Sequence, residues 1–193
     1  MFTSLPNLLT LSRIVVIPLV VATFYVDSHT ARWVGCWLFV AAAITDWFDG
    51  YVARSRNQVS TFGRFLDPIA DKLLVASVLF MLVAFDRVRE VSFLPALVIV
   101  LREILVSGLR EFLAEVRVGL PVSRLAKWKT GIQMVAIPVL LVGDKAGPAF
   151  LPTQDLGEVG LWVAAVLTLI TGWDYLYSGL RHLQANPAPA SKP

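Results

Sequence analysis

Four aspartates, Asp46, Asp49, Asp67 and Asp71, sit in the stretch TDWFDGYVARSRNQVSTFGRFLDPIADK, at the edges of two long apolar segments. Taking a carboxylate out of water costs on the order of several kcal/mol unless a partner or a metal compensates it. Asp46 and Asp49 are three apart, Asp67 and Asp71 four apart, and on a helix either spacing puts both carboxylates on one face. Gly50 has no side chain to hold a ligand away from the helix, and Ala53 keeps the same face low. Arg54 adds a planar fork of donors suited to a phosphate. Gly63 opens the second segment, and Pro68 lies near enough to its start to be tolerated there.

Two antiparallel helices joined by SRNQVST would bring both carboxylate pairs together. Four anions in one place must either take up protons or gather divalent cations. Ligation by oxygen alone, with no His or Cys nearby, suits Mg²⁺ or Mn²⁺ rather than zinc. A single aspartate at the end of a span is most simply an interfacial cap. Four with paired helical spacings, two glycines and an arginine favour a cage for one or two hard cations.

The elements that must position these groups are membrane spans. Of 193 residues, 56% are hydrophobic and 16% charged, against about 25% charged in ordinary globular domains. The mean hydropathy is +0.69. Apolar runs predict six spans near 8–26, 33–52, 62–85, 93–112, 130–142 and 159–180. The fifth is short unless it extends backwards through SRLAKWK, and five spans with one re-entrant segment is the alternative count. The fold class is therefore an all-α integral membrane protein, with a membrane domain over 1–182 and a Pro- and Ala-rich, disordered tail over 183–193. The first span keeps Arg13 near its start and has no convincing small-residue cleavage site after it, so it reads as retained.

Lys and Arg crowd the turns at 54–64 and 117–129 and the C-terminal tail, whereas the opposite turns hold Arg32, Arg87, Arg89 and Lys145. The positive-inside rule then places both termini and the aspartates in the cytoplasm. The net charge of +3 reads as a topology signal facing anionic headgroups rather than as a nucleic-acid footprint. Cys36, the single cysteine, excludes an intrachain disulfide and reads as apolar filler. His29 falls in an external turn and His182 at the end of the last span, and neither carries a reading beyond that.

The full pattern D-x-x-D-G-x-x-A-R-x8-G-x-x-x-D-x-x-x-D is filled by Asp46, Asp49, Gly50, Ala53, Arg54, Gly63, Asp67 and Asp71. It resembles the signature of the CDP-alcohol phosphotransferases at every fixed position. PNLLTLSRIVVIP, REILVSGLREFLAE and KWKTGIQMVAI extend the resemblance over nearly the whole chain. The resemblance implies six helices around a polar cavity open to the cytoplasm, a homodimer, and a bacterial inner membrane. It also implies roles: Asp46, Asp49 and Asp67 hold one divalent ion, Asp46, Asp67 and Asp71 a second, and Asp71 doubles as general base. Gly50, Arg54 and Ser60 hold the cytidine diphosphate, and Asn7, Thr10 and Arg13 close that pocket. The implied reaction moves the phosphatidyl group of CDP-diacylglycerol to an alcohol and releases CMP.

The aspartate core does not choose the alcohol. REILVSGLRE and KWKT resemble the family branch that uses glycerol 3-phosphate, and a phosphorylated acceptor needs cations. Arg102 and Arg110 within the fourth span, Lys127 and Lys129 flanking Trp128, and Arg181 at the end of the sixth are the candidates. Pairing of Arg102 and Arg110 with Glu103 and Glu111, and interfacial anchoring of the lysines, are the bland alternatives. The closest enzymatic alternative makes cardiolipin, with phosphatidylglycerol as acceptor. A cation transporter also concentrates acids in a membrane, but four of the nine aspartates crowd one end and only Asp174 lies deep in another span. No internal repeat supports a transporter of inverted halves.

Overall fold

Caps and breakers set the helix boundaries. The computed structural model describes residues 5–56, 61–115 and 124–185; the side chains of 5–10, 46–56, 61–65, 67, 68, 115, 180 and 182–185 are outside the description. Six α-helices follow one another: α1 (Leu5–Phe24), α2 (His29–Arg56), α3 (Thr61–Ala84), α4 (Phe93–Glu115), α5 (Arg124–Ala146) and α6 (Thr153–Ala185). They match the six predicted segments, and α5 reaches back to Arg124 through the lysine-containing stretch.

Ser28 Oγ accepts a hydrogen bond from Ala31 N at 3.1 Å and so caps α2. The α3 C-terminus closes with Asp86 in the left-handed region (φ 49°). Asp86 N donates to Val83 O at 3.2 Å and Arg87 N to Leu82 O at 2.9 Å, the bond pair of a Schellman ending. A single 3₁₀ turn, Glu90–Ser92, leads into α4. Asp144 Oδ1 caps α6 from outside, accepting from Gln154 N at 2.8 Å and from Thr153 Oγ1 at 2.9 Å.

The helices form a closed ring in the order α1, α2, α5, α6, α4, α3, each in contact with the next and α3 again with α1. Between lipid-facing helices no hydrophobic driving force operates, so association depends on small residues that admit close packing. Gly157 and Gly160 of α6 supply it: a Cβ at Gly157 would lie 2.6 Å from Leu140 Cγ, and one at Gly160 would lie 2.9 Å from Ala136 Cβ. Gly35 does the same between α2 and α1, against Thr23. Phe39, Leu74, Ile99, Leu140 and Leu161 fill the interior, while Trp37, Phe80, Ile104, Val135 and Trp173 are exposed on the outside. Large apolar residues on that side match a hydrocarbon solvent. Among the described residues three helical stretches, Glu90–Ala114, Arg124–Ala146 and Thr153–Gly179, are long and apolar enough to cross a membrane, and Leu11–Phe24 is a shorter apolar stretch.

At the end of the ring that holds the α1–α2 turn, α5 is broken at Gly143 (φ 58°, ψ −179°). Arg87 Nη1 donates to Leu141 O at 3.1 Å, Arg32 Nη1 to Val142 O at 3.3 Å, and Trp33 Nε1 to Ala146 O at 3.1 Å. Asp27 joins the cluster, 2.8 Å from Lys145 and 3.5 Å from Arg32; Lys145 holds its carboxyl below the ordinary value, with Arg32 adding a smaller pull. These charges hold a helix end together.

Candidate active site

The other polar cluster lies inside the ring, between α3, α4 and α5. Helices α3 and α4 present Asp71, Lys72, Arg102, Glu103, Ser107, Arg110 and Glu111 to a cavity of about 450 Å³. A smaller recess of about 50 Å³ shares Asp71, Lys72 and Glu103 with it and adds Lys129, Thr130 and Gln133 from α5. The periodicity of α4 explains the first wall. Glu103, Ser107 and Glu111 recur every four residues and so form one stripe, as Lys129 and Gln133 do on α5.

Each cation is held differently. Lys129 is 4% exposed and pairs with Glu103. Arg102 Nη1 lies 3.7 Å from Glu103 Oε1, and Arg102 Nη2 donates to Thr171 Oγ1 of α6 at 3.0 Å. The Arg102 guanidinium also sits 5.8 Å from the Tyr175 ring centre. Gly172 makes room for it, because a Cβ there would lie 3.1 Å from Arg102 Cγ. Arg102 thus has the glutamate neighbour that the bland alternative gave it. Lys72 donates to Ser107 Oγ, which lies 3.4 Å from Glu111 Oε1. Arg110 is exposed at the cavity rim. The interior is thus a mixed-charge vestibule with four basic groups beside Asp71.

Of the predicted site residues, the structure brings Asp71, Arg102, Arg110 and Lys129 to these two connected spaces. Asp46, Asp49, Gly50 and Arg54 lie in the C-terminal half of α2, and Asp67 lies in α3 one turn before Asp71. Their side chains, with those of Asn7 and Thr10 in the first turns of α1, are outside the described residues, as is Ser60 altogether. Arg13 of α1 is 2% exposed, and α1 packs on both α2 and α3, the helices that carry the four signature aspartates.

Lys127 and Arg181 stand apart. Lys127 is exposed and, with Trp128, borders an apolar groove of about 600 Å³ between α5 and α6. Two helical positions subtend about 200° at 3.6 residues per turn, so Lys127 and Lys129 leave α5 on opposite sides. Arg181 is exposed near the end of α6.

Sequence reasoning missed Lys72, Ser107 and Gln133 as cavity residues. The signal was present: each is polar, and Ser107 and Gln133 stand four residues from a charged residue on an otherwise apolar helix. Gln133 is 2% exposed, and its Oε1 has no hydrogen-bond partner.

Asp71 thus shares these two spaces with Lys72, Arg102, Arg110 and Lys129, a set of charges able to meet an anionic ligand. The chain is similar to known proteins. A protein of Rickettsia felis named CDP-diacylglycerol–glycerol-3-phosphate 3-phosphatidyltransferase is 53% identical over 172 residues, which span 89% of this chain and 93% of the relative. A Cereibacter sphaeroides protein of the same name is 39% identical over 94% of this chain and 97% of its own length. An Arabidopsis thaliana protein, the second of that name, is 41% identical over 86% of this chain and 75% of its own length. The family model described as CDP-alcohol phosphatidyltransferase matches residues 3–170, and the chain belongs to that family.

Proposed function

We propose that this chain transfers the phosphatidyl group of CDP-diacylglycerol to glycerol 3-phosphate, giving phosphatidylglycerophosphate and CMP. The observation that carries the reading is the 53% identity to a relative of that name over 89% of the chain. The placement of Asp71 in a cavity with Lys72, Arg102, Arg110 and Lys129 supports it. An acceptor that itself bears a phosphate needs such cations, whereas uncharged inositol and cationic choline do not.

Asp71 takes the proton of the acceptor's primary hydroxyl as that oxygen bonds to the diacylglycerol-side phosphorus. The bond from this phosphorus to the bridging oxygen breaks, and CMP leaves with its electron pair. Arg110 at the rim and the buried Lys129 hold the acceptor phosphate, with Arg102 bracing the wall through Glu103 and Thr171. Gly50, Arg54 and Ser60 hold the cytidine diphosphate, and Asn7, Thr10 and Arg13 of α1 close its pocket. Asp46, Asp49, Asp67 and Asp71 form an oxygen-only donor set on α2 and α3 that fits Mg²⁺ or Mn²⁺. When bound, such ions neutralise charge on the phosphoryl oxygens. All six helices span the membrane, with both termini and the cavity mouth on the cytoplasmic side, in a bacterial cell membrane and as a homodimer.

The test is CMP release by the purified protein in detergent, with CDP-diacylglycerol, Mg²⁺ or Mn²⁺, and one acceptor at a time. Release with glycerol 3-phosphate, abolished by a chelator and by Asp71→Asn, is the expected result. Release only with phosphatidylglycerol, inositol or serine would replace the acceptor and keep the mechanism. No metal-dependent release with any acceptor would overturn the enzymatic reading.

A further inference from the structure

The recess behind Asp71 is bordered by a glutamine whose side-chain oxygen the protein itself leaves unserved. Gln133 is 2% exposed, and its Oε1 makes no hydrogen bond. A buried carbonyl without a donor is costly, so an arrangement of this kind needs an explanation. The neighbouring donors are turned elsewhere: Lys129 Nζ to Glu103, Lys72 Nζ to Ser107 Oγ, and Thr130 Oγ1 to Ala126 O at 3.1 Å. The recess holds about 50 Å³, room for a small fragment such as one carbon with its hydroxyl, given that a water occupies roughly 30 Å³ of liquid. It adjoins the larger cavity through Asp71, Lys72 and Glu103.

The chemistry of the missing partner follows from the atom. An amide oxygen accepts and does not donate, so it repels a phosphate oxygen and selects a hydroxyl. Glycerol 3-phosphate has two hydroxyls. The primary one is committed to Asp71 and the phosphorus, which leaves the secondary one. We infer that Gln133 Oε1 accepts a hydrogen bond from the secondary hydroxyl of glycerol 3-phosphate, making Gln133 a specificity-determining residue of the acceptor site. This rests on the proposed reaction and adds the group that reads the middle carbon of the acceptor. With Asp71 and the rim cations it makes a three-point grip: primary hydroxyl, secondary hydroxyl and phosphate.

The experiment pairs a change in the residue with a change in the ligand. CMP release is measured with glycerol 3-phosphate and with 3-hydroxypropyl phosphate, the same acceptor lacking the secondary hydroxyl. The wild-type protein is expected to prefer glycerol 3-phosphate in kcat/KM by roughly ten- to a hundredfold, because the deoxy acceptor leaves a buried oxygen unpaired. Gln133→Met, of similar length and without the amide, is expected to bring that ratio close to one. Gln133→Glu keeps an accepting oxygen among Lys72 and Lys129 and is expected to keep the preference. Equal use of both acceptors by the wild-type protein overturns the inference and requires no variant to fold. An undiminished preference in Gln133→Met overturns it equally. Failure of the reaction itself is a separate result, since the wild-type protein would then release no CMP with glycerol 3-phosphate.

Discussion

Replacing Glu103 by Gln tests whether the cavity wall is an electrostatic unit. The Lys129 side chain is 5% exposed and that of Glu103 23%, and the two are paired. Arg102 lies 3.7 Å from the same carboxylate oxygen, so one anion serves two cations on two helices. At that separation the gross attraction of a single pair is about 4 kcal/mol at an effective dielectric of 20. Most of it is offset by desolvation, so the intact group contributes little net stability. Removing one partner is different, because it strands a buried charge at a cost of about 3–5 kcal/mol. Glu103 borders a cavity and retains some water, which places Glu103→Gln at the lower end, about 2–3 kcal/mol.

Lys129→Met removes the stranded ammonium and fills its volume with an apolar side chain. On Glu103→Gln it should therefore recover much of the loss, with a coupling of at least ~1 kcal/mol. Unfolding of the four proteins in one detergent, followed by tryptophan fluorescence, closes the cycle. Additivity within about 0.5 kcal/mol, or a Glu103→Gln protein as stable as the wild type, would refute the reasoning. The double variant should still be catalytically impaired, since Lys129 is also assigned to the acceptor phosphate. Recovery of stability without recovery of KM would separate the two roles.

Two further outcomes follow from the packing and the charge placement. A Cβ at Gly157 would meet Leu140 Cγ at 2.6 Å, so Gly157→Ala should destabilise the α5–α6 pair by about 1–3 kcal/mol, and Leu140→Val should relieve part of that in an unfolding titration. Arg110→Ala should raise the KM for glycerol 3-phosphate about tenfold or more by loss of a charged hydrogen bond, whereas Lys127→Ala, on the outer side of α5, should change it less than about twofold; equal effects in initial-rate measurements would contradict the opposed placement of the two cations.

Much of the architecture is legible in the sequence because hydropathy acts locally. Six apolar segments with polar turns give six helices, and the backward extension of α5 to Arg124 follows from the need for length. The ends are less legible: α2 runs on to Arg56 and α6 from Thr153 to Ala185, three residues into the segment expected as tail. Nothing hydrophobic stops a helix there, and the cap on α6 comes from Asp144, nine residues away. The α5–α6 pairing rests on close contacts of Gly157 and Gly160 with Leu140 and Ala136, which no local pattern reveals. In the site, carboxylate spacing marks Asp71, while the opposed directions of Lys127 and Lys129 require helical phase to be applied to the cations as well. Gln133 is hard to see in the sequence because an uncharged amide in an apolar span looks harmless until its buried oxygen proves to have no donor.

The two polar ends of the ring make different predictions because their partners differ. Arg32 and Arg87 donate to Val142 O and Leu141 O, the two carbonyls just before the break at Gly143, so their role is tied to that backbone conformation. Gly143 has φ 58°, and a Cβ there would approach Arg32 Nη1 to 2.9 Å. Gly143→Ala thus meets two penalties: about 1–3 kcal/mol for a non-glycine residue at positive φ with ψ near 180°, a region essentially reserved to glycine, and displacement of the guanidinium from Val142 O, where a charged hydrogen bond is worth about 1.5–3 kcal/mol. The protein should lose stability by a few kcal/mol, while the KM for glycerol 3-phosphate in the surviving folded fraction stays near its wild-type value. The Arg110 variant should show the reverse, a raised KM on an unshifted unfolding curve, because its charge faces an open cavity rather than a helix end. Measuring both quantities on both variants decides the matter: a Gly143→Ala protein with normal stability and a raised KM would mean that the break at the far end of α5 positions Lys129 and Gln133, and that the two ends are coupled through the helix.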